Sequence, residues 1–488
     1  MGAYQRRAQS HLARRQIGTM IGGMKLFAYL LALVALTGFA TQPLLAQSIL
    51  RDAETEVLLN DISNPLIRAA GLQPDDVRIV MINDPSINAF VAGGQVVYLH
   101  TGLIENADNA NQVQGVIAHE LGHVAGGHAV RTDGIEKASG IALLSLLLGA
   151  AAMAAGGGEA GMGILAAGQQ AAIGSYLAYS RVQEATADAA GARYLSAAGV
   201  SGQGSIEFFQ KLLNLEMRYN VPQDDAQAYA RTHPLSGDRI QFLRDAYSHD
   251  PAWNHTTDPA LEERFQRVRA KLIGYISEPR LTLQRYPVTD DSVPAHYARA
   301  YAYHRSGRPA EALQEANTLV ARNGNDPYFL ELEGQILLES GRPADAIAPL
   351  RQAVTASDGS PLIATLFSHA LIATEDPAQF AEAERVLRAA VARDNDNPFA
   401  WYQLGIVYAH NGDEPRARLA SAEQQLLTGA VAPALQASEA AMAGLPVGSP
   451  DWLRAQDISL VARARLEEER RNNRGRRGGL QLGVTDAS

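Results

Sequence analysis

GVIAHELGHVAGGH, residues 115–128, decides how the rest of this 488-residue chain is read. It sets His119, Glu120 and His123 in an H-E-x-x-H arrangement inside an apolar run that suits a helix. Residues four apart share a helix face, so the two imidazoles can offer nitrogens to one divalent ion, and zinc is the ion such a pair suits. Glu120 lies one position round the helix. It would not ligate, but from there it can take a proton from an attacking water and later hand it to a departing amine. Val116, Ile117, Leu121 and Val124 supply the apolar side, and Gly122 leaves room for a second backbone beside the metal.

A catalytic zinc needs a third protein ligand and an open fourth position. His128 follows His123 by five residues, whereas the metzincin pattern requires six, where this chain has Ala129. His128 therefore reads as a structural histidine near the helix end. Glu184, in SRVQEATADAAG, is the better candidate. Glu184 and Asp188 are i and i+4 on a second helix, the first placed to bind metal and the second to accept a hydrogen bond from a ligating imidazole.

Three motifs then stand in order: HELGH from His119 to His123; SRxxExxAD at Ser180, Arg181, Glu184, Ala187 and Asp188; THPxxxxR at Thr232, His233, Pro234 and Arg239. Together they resemble the gluzincin metallopeptidase family that contains the heat-shock protease HtpX and the CAAX prenyl endopeptidase. The resemblance implies an α+β zincin-like peptidase domain, mostly helical with a small sheet. It implies one zinc per chain on His119, His123 and Glu184, with Glu120 as general base. It also returns His233 to the active site, either to hydrogen-bond the oxyanion of a tetrahedral intermediate or to act as a reversible fourth zinc ligand. Arg239 would anchor that loop by an ion pair.

Ahead of the zinc motif, residues 48–72 carry a helical pattern, residues 77–82 a strand, and residues 87–104 two short strands turning at Gly93 and Gly94. Asn88, Ala89 and Phe90 on that hairpin are the candidate substrate-binding edge, by backbone pairing with an extended chain. Plain sheet packing is the other reading. Earlier still, residues 26–40 form an uncharged run of the length of a signal-peptide core, giving a signal segment over 1–46 with translation starting at Met1, Met20 or Met24.

The formal balance of 42 basic against 52 acidic residues, -10, gives no support to nucleic-acid binding. With no cysteine there is neither a disulfide framework nor a thiolate zinc site, so the metal must be held by His and carboxylate. Between the zinc motif and Glu184, residues 141–155 and 160–178 are apolar and Ala/Gly-rich, broken at Gly156, Gly157 and Gly158. The first run would be about 22 Å long as a helix, short of the roughly 30 Å hydrocarbon core. It reads as part of a buried or membrane-touching helical pair that shields the cleft.

Domain limits follow: a peptidase over 47–250, a connector over 251–292 with a single helix followed by coil, repeats over 293–466 and a disordered basic tail over 467–488. Gly307 and Gly341 stand 34 apart, as do Pro327 and Pro361, and Trp401, Leu404, Gly405 and Tyr408 complete the W-x2-L-G-x2-Y signature of tetratricopeptide repeats. An all-α solenoid of stacked helix pairs is expected, its concave face binding partners. Between Pro361 and Pro398 the spacing grows to 37, so one repeat carries an insertion.

A signal segment, this peptidase and C-terminal repeats resemble periplasmic proteases that act in quality control of outer-membrane proteins in Gram-negative bacteria. That resemblance implies unfolded or stalled outer-membrane proteins and the barrel-assembly machinery as partners, the latter through the repeats, with peripheral membrane contact besides. Two further readings stay open: a repeat-based chaperone or scaffold with a latched zinc site, and a membrane-anchored protease.

Overall fold

The computed structural model describes residues 49–128, 133–154, 158–219, 233 and 237–481. The signal segment, Thr232, Pro234, the polar stretch 220–231 and the last residues of the tail lie outside them. The fold is the expected one, an α+β peptidase domain followed by a helical solenoid.

Helix α1, Ala53–Ala69, starts where the Asp52 side chain accepts from the Thr55 backbone N–H at 2.8 Å, and it buries Leu58, Leu59, Ile62 and Leu66 along one stripe. The sheet has four strands in the order β1-β2-β4-β3: β1 is Ile49–Leu50, β2 Arg78–Ile82, β3 Ala89–Ala92 and β4 Val96–His100. β2 runs parallel to β4 and β3 antiparallel to it, so β3 forms an edge of the sheet. Gly93 and Gly94, at φ 64° and 98°, make the β3–β4 turn where the sequence placed it.

A short helix α2, Thr101–Asn106, leads into α3, Ala110–Gly126, which carries the H-E-x-x-H motif. The first fourteen residues of α3 are all buried, so this helix is the axis of the domain. It starts with Asn109 accepting from the Gln112 N–H and ends at Gly127, whose φ of 64° closes the last turn. Helix α4, Asp133–Ala154, is followed by α5, Gly158–Ala197, a 40-residue helix that bears Glu184 and Asp188. Helices α6, Gln203–Tyr219, and α7, Gly237–Ser248, complete the packing round α3 with Phe208, Phe209, Leu212 and Leu243.

Two expectations are corrected here. Of the two readings of the apolar pair, buried or membrane-touching, the first fails for α4: Leu143, Leu144, Leu146, Leu147 and Leu148 are each more than half exposed. Its apolar part, residues 141–154, is about 21 Å long at 1.5 Å per residue, and among the described residues no helix is long and apolar enough to cross a membrane. The tail is helical as far as Gln481, because α19, which begins at Pro450, continues into it. Glu467, Glu468, Glu469, Arg470 and Arg471 are good helix formers, and extending a helix that has already nucleated costs little.

Residues 251–292, expected to connect the two parts, also build them. Helix α8, Pro259–Ile276, sends Phe265, Val268 and Leu272 into the peptidase core, and α9, Pro279–Arg285, is a further helix where coil was expected. Five helix pairs follow: α10, Val293–Arg305, with α11, Pro309–Arg322; α12, Pro327–Glu339, with α13, Pro343–Ala356; α14, Pro361–Ala373, with α15, Pro377–Arg393; α16, Pro398–His410, with α17, Glu414–Leu427; α18, Val431–Gly444, with α19. The insertion does not enlarge a loop. It lengthens α15 to 17 residues where α11, α13 and α17 have 14.

Peptidase and repeats are joined by a buried charge network. Glu54 in α1 binds Arg267 and Lys271 of α8 and accepts from the Tyr297 hydroxyl of α10 at 2.7 Å, while Arg267 reaches Asp326, the N-cap of α12, at 2.7 Å. Removing one member of such a group strands the others without counter-charge. Glu54→Ala is expected to lower unfolding stability by about 3–5 kcal/mol, read from urea denaturation. A change under about 1 kcal/mol would mean that the network is as weak as a surface pair.

Candidate metal centre

Four side chains from three segments converge at the middle of α3. His119, His123, Glu184 and His233 each present one donor atom within 4.8 Å of all the others, and all four are buried. His119 Nε2 lies 3.2 Å from His123 Nε2, 3.4 Å from Glu184 Oε2 and 3.3 Å from His233 Nδ1. His123 Nε2 is 3.3 Å and His233 Nδ1 3.1 Å from Glu184 Oε1. A tetrahedron with arms of about 2.0–2.1 Å, the length of zinc–nitrogen and zinc–oxygen bonds, has edges of about 3.3–3.4 Å. The donor set therefore has the size and chemistry of a site for one such ion.

The electrostatics agree. Desolvation would raise the Glu184 pKa, yet hydrogen bonds from His119, His123 and His233 hold it far below the usual carboxylate range. Desolvation would likewise lower His119, but Asp188 and Glu184 push it up to about 10, whereas burial keeps His123 below its ordinary value. The centre of the cluster thus favours positive charge.

His119, Glu184 and His123 are each held from behind. His119 Nδ1 stands 2.9 Å from Asp188 Oδ1, leaving Nε2 to face the cluster. Arg239 grips Asp188 with two hydrogen bonds of 2.8 Å and reaches Glu184 Oε2 at 3.0 Å, so its ion pair joins the two carboxylates of α5 to α7. His128 was expected to be structural, and its support of the site went unread. Its Nδ1 lies 2.9 Å from His123 Nδ1 because Gly127 folds the chain back over the end of α3. Only a glycine turn followed by a histidine hinted at it. Phe209 of α6 meets the His119 ring edge to face at 5.9 Å.

Glu120 is fully buried, and neither of its oxygens has a hydrogen-bond partner among the described residues; His233 Nε2 is 3.5 Å from Oε1. An unsatisfied buried carboxylate is costly and marks a place where a ligand, ion or water completes the arrangement. On the edge strand, Asn88 and Ala89 are buried and Phe90 stacks on Tyr98 at 5.1 Å, while the Asn88 carbonyl already accepts from the His100 N–H.

Gly122 fixes the approach of the two ligand-bearing helices. A Cβ there would stand 2.7 Å from the Ala187 carbonyl oxygen and 2.8 Å from its Cα, and Ala187 lies between Glu184 and Asp188. Gly122→Ala is expected to push α5 off α3, costing about 1–3 kcal/mol and weakening metal binding at least about tenfold, as loss of a supporting contact does. Metal titration monitored by competition with a chromogenic chelator reads the affinity; unchanged affinity would show that the helices part without moving Glu184.

Residues 53–247 match the model of peptidase family M48, and residues 295–361 and 378–441 match that of the tetratricopeptide repeat. The metalloprotease LoiP of Escherichia coli is 33% identical over 196 residues, which cover 39% of this chain and 70% of LoiP. The chain belongs to peptidase family M48. This M48 protein is similar over much more of its length to the beta-barrel assembly-enhancing protease of Yersinia pestis, 26% identical over 426 residues, 85% of this chain and 83% of that one. The Escherichia coli protein of the same name is 25% identical over 57% of each chain. The M48 chain is thus a metalloprotease carrying tetratricopeptide repeats, as its motifs implied.

Proposed function

We propose that the chain is a zinc endopeptidase of the Gram-negative periplasm that cuts unfolded or stalled outer-membrane proteins, its repeats docking the client or the barrel-assembly machinery. The gathering of four donor atoms at 3.1–3.4 Å beside the buried carboxylate of Glu120, which has no hydrogen-bond partner among the described residues, carries this reading. His119, His123 and Glu184 hold the ion, and Asp188 and Arg239 keep the donors in place. Zinc, when bound, acts as a Lewis acid toward the scissile carbonyl and lowers the pKa of water. Glu120 takes the proton of the attacking water and delivers it to the departing amine. Pairing of an extended substrate with β3, through Asn88, Ala89 and Phe90, would hold the client and make side-chain selectivity weak. Docking to the barrel-assembly machinery and the client's identity rest on the names of the relatives and on the repeats. Peripheral membrane contact is supported by the bare leucines of α4, and domain limits of 47–250 and 293–466 fit the matched segments.

His233 fills the fourth corner of the donor set, which supports its reading as a reversible ligand that keeps the enzyme off. A catalytic site needs that corner open, so the side chain has to swing out for cutting. Once displaced, it lies within reach of the oxyanion as a hydrogen-bond donor. The test is cleavage of an unfolded porin by purified protein, together with its metal content. One zinc per chain and a cleavage rate raised by His233→Ala support a latched protease. Loss of cleavage in His233→Ala assigns the residue to the oxyanion instead. Binding of the porin with no cleavage by either protein would leave the repeats as a scaffold and overturn the proteolytic reading.

A further inference from the structure

Peptidase and repeats also line an open cavity of about 400 Å³, none of whose lining residues belongs to the four-donor cluster. It lies between the first turn of α1, the end of α8 and the first helices of four successive repeats, α10, α12, α14 and α16. Glu331 of α12 lines it, and its Oε2 is withdrawn from solvent with no hydrogen-bond partner among the described residues. Both cations that line it are already engaged: Lys271 Nζ is 2.5 Å from Asp52 and 3.4 Å from Glu54, and Arg51 pairs with Glu56 and, at 3.0 Å, with Asp394. Leu366, Phe399 and Tyr275 add an apolar and aromatic wall, the last two being 44% and 42% exposed. A carboxylate oxygen withdrawn from solvent, with the neighbouring cations already engaged and an apolar wall beside it, complements a cation on a hydrocarbon stem.

We infer that this cavity seats a lysine or arginine side chain of a docked polypeptide, with Glu331 as counter-ion and Leu366 and Phe399 against the stem. The inference rests on the reading of the repeats as a protein-docking array and names what one pocket of that array selects. Burial pushes the Glu331 carboxyl up to about 8 against the pull of Lys271, with Asp52 and Glu54 adding to the rise. The groups facing it are Asp52 and Glu54 from α1, Lys271 from α8 and Tyr301 from α10. A seated cation reverses that rise, and the displaced proton leaves to solvent.

The experiment uses the full chain with Glu120→Gln, so that nothing is cut. The probes are a short fluorescein-labelled peptide with one arginine between leucines, and its twin with neutral citrulline in place of arginine. Fluorescence anisotropy is expected to show the arginine peptide binding about tenfold or more tighter than the citrulline peptide, the scale of one charge-assisted contact. Adding Glu331→Gln brings that ratio to near one at unchanged melting temperature, and Phe399→Ala weakens both peptides alike. Equal affinities for the two peptides, no binding of either, or a ratio that survives Glu331→Gln overturns the inference. If the ratio is one while the protein with Glu120 intact still cuts unfolded porin, the pocket assignment alone falls. If the ratio holds and no cutting occurs, the proteolytic reading falls and the pocket stands.

Discussion

Glu120→Gln is expected to bind one zinc per chain and to cut an unfolded outer-membrane protein about 10²–10⁴-fold more slowly than the unaltered protein. The amide keeps the volume of the carboxyl in a fully buried place and leaves the four donors untouched. What it removes is the proton acceptor. Metal content by atomic absorption and single-turnover cleavage separate the two effects. Cleavage within about threefold of the unaltered rate would assign the proton transfer elsewhere, since a group worth so little is not the general base.

Glu184→Ala is expected to act one step earlier, by emptying the site. The carboxylate touches all three imidazoles and Arg239, so its loss removes one donor and leaves its neighbours' charges less compensated in a buried place. Zinc affinity should fall by more than the roughly 10–100-fold that loss of an outer partner costs, and Asp188→Asn, which removes only such a partner, supplies the smaller comparison. Equilibrium dialysis against a zinc buffer measures both. If Glu184→Ala and Asp188→Asn weaken zinc equally, Glu184 is a support and not a ligand, and the donor set must be completed by His233.

The parts of this site that were legible in the sequence are those fixed by helix periodicity. His119 and His123, and separately Glu184 and Asp188, are i,i+4 pairs, so each pair faces one way on its own helix. That the two helices meet was legible only in Gly122, whose missing side chain admits Ala187. His233 was legible through its motif alone, because no periodicity describes the segment that carries it. The support that His128 gives His123 was hinted at only by a glycine followed by a histidine, since it depends on the left-handed turn at Gly127.

The repeats were read well because their period is fixed by stacking, and the W-x2-L-G-x2-Y residues Trp401, Leu404 and Tyr408 are buried in the repeat core. The spacing of Pro361 and Pro398 assigned the insertion to one repeat but gave no form for it, since three more residues fit a helix as readily as a loop. For the α4 leucines the sequence left two readings open, buried or membrane-touching, for a different reason. An apolar helix has the same composition whether a neighbour covers it or not, and coverage is a tertiary fact. The tail was misjudged because a helix without an apolar stripe leaves no periodic trace, although Glu467 to Arg471 favour the conformation.

The network round Glu54 ties α1, α8, α10 and α12 together, so peptidase and repeats are expected to unfold as one body, not as a blade with a detachable handle. Severing it between Ile276 and Val293 would leave Arg267 without Asp326 on one fragment and Tyr297 without Glu54 on the other. Calorimetry of the whole chain should accordingly record one heat-absorption peak where independent modules would give two. A graft of these repeats onto a foreign protease would have to bring α8 and the opening turn of α1 along with it.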